Sequence, residues 1–286
     1  MIGEEKGAVL ITGASTGIGK VCALVLDRSG YRVFAGMRNT QGYESLRNEA
    51  SELLSPVRLD ITDSEQIAGA VEAVEKDLGP DLGLTGLINN AGIVVAGPLE
   101  FLPLDSLRRQ LEVNVIGHVA VTQAFLPLIR KGRGRIVNIS TAGCHFAVPF
   151  LGAYSASKIA MEALTDALRR ELQPWGIPVL TVEPGVIETP IWEKSFAEAD
   201  KLEAGLPIHA KRLYSERFAA GREFMEKLRR RAVPPKAVAE AVRRCLETRR
   251  PKTRYWVGTS ARMLPFIVTF VPERFADWVV GKVLAI

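Results

Sequence analysis

Tyr154 and Lys158 stand four residues apart in Tyr154-Ser155-Ala156-Ser157-Lys158. That run opens an amphipathic stretch, and residues four apart on a helix share a face. Both side chains can then address one point. A free tyrosine has a pKa of about 10 and is a poor base at neutral pH. A neighbouring ammonium favours the phenolate and lowers that value. Such a phenol could hand a proton to a carbonyl oxygen, or take one from an alcohol. Taken singly, the pair also fits a packing tyrosine beside a surface lysine. Its meaning depends on what else the chain brings near it.

A second group of residues could hold phosphate. Thr12-Gly13-Ala14-Ser15-Thr16-Gly17-Ile18-Gly19 lies between a strand-like run and a helical one. Glycines there let the backbone turn tightly and approach a pyrophosphate, and the helix start offers free N–H groups. The spacing is Gly-x-x-x-Gly-x-Gly, unlike the Gly-x-Gly-x-x-Gly of the common dinucleotide fingerprint. The next strand-like run ends Met37-Arg38-Asn39. An acid at such a strand end binds ribose hydroxyls, whereas an arginine suits a 2′-phosphate. Met37 takes the acid's place and Arg38 follows it, which favours NADP(H) with NAD(H) as the second choice.

Elements must carry these residues. Short β-branched runs alternate with amphipathic ones along the chain. Strands are expected at 8–12, 32–35, 57–59, 86–89, 135–139 and 178–182, with another at 254–257. Helices are expected from the glycine loop to Leu26, then over 44–54, 64–78, 104–129, 153–173 and 235–248, with a charged helical segment over 191–231. That alternation marks βαβ units on a parallel sheet covered on both faces. The expected fold is α/β, a Rossmann-type doubly wound sheet. It forms one domain, with a lid at 190–232 and an apolar tail at 260–286.

Composition narrows the classes. The chain has 286 residues, a net charge of +5 and three cysteines. An odd, sparse cysteine count argues against a disulfide framework or a structural zinc site, and points to a reducing, cytoplasmic setting. No metal is expected. The basic runs at 229–231 and 249–252 lack interleaved aromatics, so they read as solvated helix faces and not as a nucleic-acid platform. Met1 to Lys6 is short and acidic, unlike a signal peptide.

Taken together, the motifs resemble the short-chain dehydrogenase/reductase family. They run in order: Thr12-Gly13-x-x-x-Gly17-Ile18-Gly19, Leu59-Asp60-Ile61-Thr62, Asn89-Asn90-Ala91-Gly92, Asn114, Gly134 to Ser140, Tyr154-x-x-x-Lys158 and Pro184-Gly185-x-x-x-Thr189. The resemblance covers roughly residues 7 to 190. It implies hydride transfer between a nicotinamide dinucleotide and an alcohol or carbonyl carbon. It implies that the glycine loop, Ser15 and Thr16 included, binds the cofactor. Asp60 and Ile61 would hold the adenine side, with Asn90, Ala91 and Gly92 beside it. Pro184, Gly185, Ile187 and Thr189 would hold the nicotinamide, with Tyr154 and Lys158 touching the cofactor too. It also implies a tetrad of Asn114, a serine, Tyr154 and Lys158, and a homodimer or homotetramer.

One position departs from the pattern. The family's serine stands thirteen residues before the tyrosine, where this chain has Thr141, with Ser140 just before it. Either hydroxyl could polarise the substrate oxygen.

Phe146, Phe150 and Trp192 are the expected substrate contacts, helped by apolar residues of the lid. Such a pocket suits a bulky apolar molecule. Leu59-Asp60-Ile61-Thr62-Asp63 and Glu183-Pro184-Gly185 resemble the branch acting on retinols and hydroxysteroids. Two other functions fit parts of the pattern: a redox-sensing nucleotide-binding protein without turnover, and a nucleotide-sugar epimerase or dehydratase. The tail is broken at Pro265 and Pro272 and carries Phe266, Ile267, Phe270, Phe275, Trp278 and Val279. It is expected to close the pocket or extend a subunit contact, with membrane contact as the lesser choice.

Overall fold

Ala8–Ile11 is apolar at every position, and Arg135–Ile139 is buried at every position after its first, as strands covered on both faces are. The computed structural model describes residues 6–39 and 41–284, without the side chains at 41, 264–269, 283 and 284. Met1 to Glu5 and the side chains of Phe266 and Ile267 therefore lie outside the described residues.

The strands are β1 (Ala8–Ile11), β2 (Arg32–Met37), β3 (Leu54–Arg58), β4 (Leu84–Asn89), β5 (Arg135–Ile139), β6 (Val179–Pro184) and β7 (Arg254–Val257). They form one parallel sheet in the order β3-β2-β1-β4-β5-β6-β7. The helices α1 (Gly17–Arg28), α2 (Gln41–Arg47), α3 (Ser64–Leu78), α4 (Leu104–Leu111), α5 (Gly117–Lys131), α6 (Gly152–Glu171) and α9 (Lys236–Glu247) accompany it. One apolar layer joins α1 and α9 to one face of the sheet, through residues such as Cys22, Leu26, Val238 and Val242. A second layer joins α3 and α5 to the other face, through Val74, Phe125 and Ile129. Helices α7 (Ile191–Gly205) and α8 (Ile208–Arg229) form the lid, and α10 (Thr259–Phe270) and α11 (Glu273–Leu284) the tail.

Three expectations differ from this architecture. The helix expected over 44–54 runs only over Gln41–Arg47, and Leu54 begins β3. The helix expected over 104–129 is interrupted by a π turn at Glu112–Ile116. Pro265 does not break the tail, because α10 continues through it to Phe270.

The sheet order reverses between β1 and β4, which opens a crevice at their carboxyl ends. The Thr12 hydroxyl closes the bottom of it by accepting from the amides of Asn90 (2.9 Å) and Ala91 (3.0 Å). Gly13 and Gly17 take φ of 67° and 58°, in the left-handed region that favours glycine. Gly19 is needed for space. A Cβ there would overlap the Gly13 carbonyl oxygen and the Asn90 amide. Helix α6 is tied down by a buried relay. Asn89 Nδ2 donates to Thr122 Oγ1 and Asn138 Oδ1, and Asn138 Nδ2 donates to Thr165 Oγ1.

Gly19→Ala forces the loop off Asn90. It should cost about 1–3 kcal/mol of stability, as overpacking does, and weaken dinucleotide binding. Urea unfolding and a cofactor titration check both. His118, at the start of α5, sets a second expectation. Its Nε2 lies 2.7 Å from the Ala91 carbonyl oxygen, which can only accept, so Nε2 carries the proton. Burial, and then the Lys158 charge, hold its pKa down at about 3. The unfolded chain takes up that proton near pH 6.5. Stability from this group is therefore complete above about pH 6.5 and falls as pH falls towards 3. Between pH 7 and 5, wild type should lose about 2 kcal/mol more than His118→Gln, measured by urea unfolding at both values.

Candidate active site

The crevice opens into a cavity of about 1200 Å³. That exceeds the space one small ligand fills, and suits a dinucleotide with a substrate beside it. Its floor comes from the loops that leave β1, β2, β4, β5 and β6. Its roof comes from α7 and α8.

At one end the lining is built for an anion. Gly13, Ser15, Thr16, Gly17 and Ile18 line it. No side chain caps the first turn of α1, and that turn holds no acidic residue. Its amides therefore face the cavity unpaired, with the positive end of the helix dipole behind them. Arg38 is exposed and lines the cavity, whereas Met37 is buried in the core. Asp60, Ile61, Asn90, Ala91 and Gly92 continue the wall, followed by Pro184, Gly185, Ile187 and Thr189. Asp60 Oδ1 is engaged by the Thr62 amide and hydroxyl. The Asn90 amide nitrogen donates to the carbonyl oxygens of Thr12 and Gly13, so this side chain braces the loop.

At the other end sit the titrating groups. Tyr154 and Lys158 share one face of α6, with Lys158 Nζ 6.0 Å from the tyrosine ring centre. Lys158 Nζ donates to the Ile139 carbonyl oxygen at 2.8 Å. Burial lowers its pKa to about 8, against the pull of Cys144 and Glu162. Burial also pushes the Tyr154 phenol up, helped by Cys144 and opposed by the Thr141 hydroxyl beside it. In the chain without a cofactor, burial outweighs every other influence on the phenol, while Lys158 with a pKa of about 8 keeps its proton at neutral pH.

The two hydroxyls separate cleanly. Ser140 is buried, and its Oγ donates to Glu162 Oε1 at 2.7 Å. Thr141 caps a short 3-10 turn at Ala142–His145 and neighbours Tyr154. Its Oγ1 lies 3.2 Å from the Pro184 carbonyl oxygen, a long bond that a better acceptor could replace. Both residues line the cavity, and Thr141 is the one whose hydroxyl lies beside the Tyr154 phenol.

Two expected site residues do not line the cavity. Gly19 provides only the space beneath the loop. Asn114 is wholly buried in the π turn, where its amide bonds both the N–H and the carbonyl of Ile93 and reaches Ser157 Oγ at 3.1 Å. Ser157 Oγ in turn donates to the Tyr154 carbonyl oxygen. Asn114 thus links the wall at Ile93 to the helix that bears Tyr154. π turns are common where such positioning is needed.

Phe146, Phe150 and Trp192 all line the cavity, as do Ile191, Phe196, Phe218 and Phe224 of the lid. Leu202 instead packs beside Val95 and Leu102. Trp192 Nε1 donates to the Ile187 carbonyl oxygen. Sequence reasoning missed Val94, Met225, Leu228, Ser260 and Ala261. Met225 and Leu228, on α8, had the helical spacing that could have found them, whereas Val94 lies in the loop after β4. Ser260 and Ala261 had no signal, because the tail's first turn reaches the site only through the fold.

The family profile described as short chain dehydrogenase matches residues 7–200. The chain is 39% identical over 280 residues to 17-beta-hydroxysteroid dehydrogenase type 6 of Bos taurus, covering 96% of this chain and 87% of the relative. It is 35% identical to retinol dehydrogenase 5 of Mus musculus, covering 96% and 88%. A short chain dehydrogenase from Burkholderia cenocepacia, solved in complex with NADP, superposes with a TM-score of 0.73 at 25% identity, covering 96% of this chain and 97% of that one. Motifs, sheet order and these likenesses agree, and the chain belongs to the short-chain dehydrogenase family.

Proposed function

We propose that this chain interconverts an alcohol with a ketone or aldehyde on a bulky apolar substrate, using NADP(H). The observation that carries the reading is that one cavity joins the uncapped start of α1 to Tyr154, Lys158 and Thr141. Retention of all three groups favours turnover over a sensor without chemistry. The family match favours a dehydrogenase over an epimerase.

Bound NADPH would supply the hydride. The chain's residues do the rest. Amides of the glycine loop and α1 hold the pyrophosphate, and Arg38 pairs with the 2′-phosphate. Thr141 donates a hydrogen bond to the substrate oxygen. In reduction, Tyr154 passes its phenolic proton to that oxygen as hydride reaches the carbon, and in oxidation it takes the proton back. Lys158 holds positive charge behind the phenolate. A positive nicotinamide adds to that charge in the oxidising direction. Apolar lid residues exclude water from the reacting centre. The names of the relatives describe hydroxysteroid and retinol dehydrogenases, and the aromatic lining of this cavity suits a substrate of that size and polarity. Three buried, unpaired cysteines suit a reducing compartment.

The primary test is a panel of steroid, retinoid and simpler alcohols and ketones, with both cofactors in both redox states. Tyr154→Phe should keep cofactor binding and lose 10²- to 10⁴-fold in kcat, about 3–5 kcal/mol. Normal turnover in that variant would remove the reading. Thr141→Ala should lose about 10²-fold, and Ser140→Ala less than about tenfold. The reverse order would make Ser140 the donor.

Arg38→Ala should raise KM for NADPH by about 10- to 100-fold through loss of a charge-assisted hydrogen bond. KM for NADH should stay nearly fixed. A wild type that already prefers NADH in kcat/KM would overturn the choice of cofactor.

A further inference from the structure

Behind Thr141 lies a cluster of buried charge that the mechanism above does not use. Glu162 follows Lys158 by one turn of α6, and Glu183 lies on β6. Both are buried. Arg254, from β7, donates to Glu162 Oε2 and to Glu183 Oε1, at 2.7 Å each. Trp256 Nε1 donates to Glu183 Oε2. His145 Nε2 lies 3.2 Å from Glu162 Oε2 and 3.5 Å from Glu183 Oε2. Asp166 Oδ2 lies 3.6 Å from the guanidinium and also pairs with Arg169.

Several contacts of this cluster end on the turn that holds Thr141. Glu162 Oε1 accepts from Ser140 Oγ on one side and from Cys144 Sγ, at 3.3 Å, on the other. Cys144 also reaches back to the Thr141 carbonyl oxygen. The Thr141 hydroxyl bonds the carbonyl of Pro184, the residue after Glu183. Thr141 is thus held from both flanks by the two carboxylates that Arg254 joins.

Cys144, His145 and Glu162 also lie close enough together to suggest a cation. The guanidinium already between the carboxylates occupies that role, and burial keeps the Cys144 thiol protonated.

We propose that Arg254 is a positioning residue for the reaction: by bridging Glu162 and Glu183 it fixes the Ser140–His145 turn and sets the Thr141 hydroxyl against Tyr154. This rests on Thr141 and Tyr154 being the reacting groups. Arg254 lies beyond the residues that the family profile matches. Both bonds come from one guanidinium nitrogen, Nη1, while Nη2 faces Asp166, so the planar group meets three carboxylates in fixed directions where an ammonium is a single flexible point charge.

Removing the guanidinium has an electrical consequence as well as a geometric one. Glu162 already acts on Lys158 to keep it protonated. Freed from Arg254, its charge acts more strongly. Lys158 then holds its proton to higher pH, and so does the nearby phenol. Both changes move the alkaline limb of the pH–rate profile upward.

The experiment compares wild type, Arg254→Met, Arg254→Lys, Arg254→Met with Glu162→Gln, and Tyr154→Phe. Each is saturated with NADPH and assayed on one ketone across pH 6 to 10. Cofactor affinity and thermal midpoint are measured beside kcat. Arg254→Met should lose on the order of 10- to 100-fold in kcat, as misplacement of a reacting group does. Its alkaline limb should rise by roughly 1 pH unit, with cofactor affinity unchanged. Adding Glu162→Gln removes the excess charge and should return the limb to its wild-type place. Arg254→Lys keeps the charge, so it should fold, lose part of kcat and leave the limb unshifted.

Unchanged kcat in Arg254→Met and Arg254→Lys overturns the proposal. So does a fall in kcat with a fixed limb and no response to Glu162→Gln, which simple loosening of the fold would give. If Arg254→Met does not fold, undiminished kcat in Arg254→Lys overturns it alone. Tyr154→Phe separates the two readings. If that variant is active, the proposed chemistry fails. If it is inactive while Arg254 is dispensable, only this inference fails.

Discussion

β1 and β4 must end level at the centre of the sheet while the chains that follow them leave in opposite directions. The structure depends on this constraint. No backbone can close the gap between them, so a cavity is unavoidable, and its floor must satisfy polar groups that no strand will pair. Thr12 meets that need with one oxygen, accepting two amides across the gap. Asn90 returns the contact to the carbonyls of Thr12 and Gly13. The glycine loop is therefore braced from beneath, and its remaining amides are left for a ligand. An unsatisfied buried amide costs about 1–3 kcal/mol. Two of them would cost enough to make the crevice collapse or flood.

The same economy of polar groups governs the titrating end. Buried Glu162 and Glu183 would each cost several kcal/mol if left unpaired. One arginine, one tryptophan, two hydroxyls and an imidazole meet them instead. Well-packed hydrophobic replacements of buried ion pairs are often neutral or stabilising. Stability alone therefore gives no reason for the cluster, whereas its contacts with the Thr141 turn do. Lys158 is treated differently. It is buried against one carbonyl oxygen, with its pKa near 8, and so stays sensitive to any charge that enters the cavity.

Much of this was legible in the sequence. Ser64–Leu78, Arg135–Ile139 and Arg254–Val257 have the expected bounds because their ends carry chemistry that stops an element, such as the Asp63 side chain that caps α3. The approach to β3 was misread. Leu53 and Leu54 continue a helical apolar spacing, yet pairing with β2 draws Leu54 into the sheet. The π turn was invisible because one extra residue barely disturbs apolar periodicity over so long a helix. The choice between Ser140 and Thr141 needed geometry. Adjacent residues on an extended segment point to opposite sides, and only the fold says which side holds Tyr154. The Glu162–Arg254 pair is separated by 92 residues, and no spacing rule reaches that far.

Phe150 shows how the lid and the reacting groups become one unit. Its φ is +69°, which a bulky residue adopts only under constraint. Such strain costs on the order of 1–3 kcal/mol and persists where neighbours over-determine it. Here the neighbours are identifiable. The Phe150 carbonyl accepts from the Gly97 amide at 2.8 Å. Its ring stacks on Phe218 of α8 at 4.9 Å and meets Tyr214 edge-on. The strained residue lies four positions before Tyr154, so the contacts that hold the lid also set the start of α6. The lid helix α8 and the helix that bears Tyr154 are thereby joined through one aromatic stack.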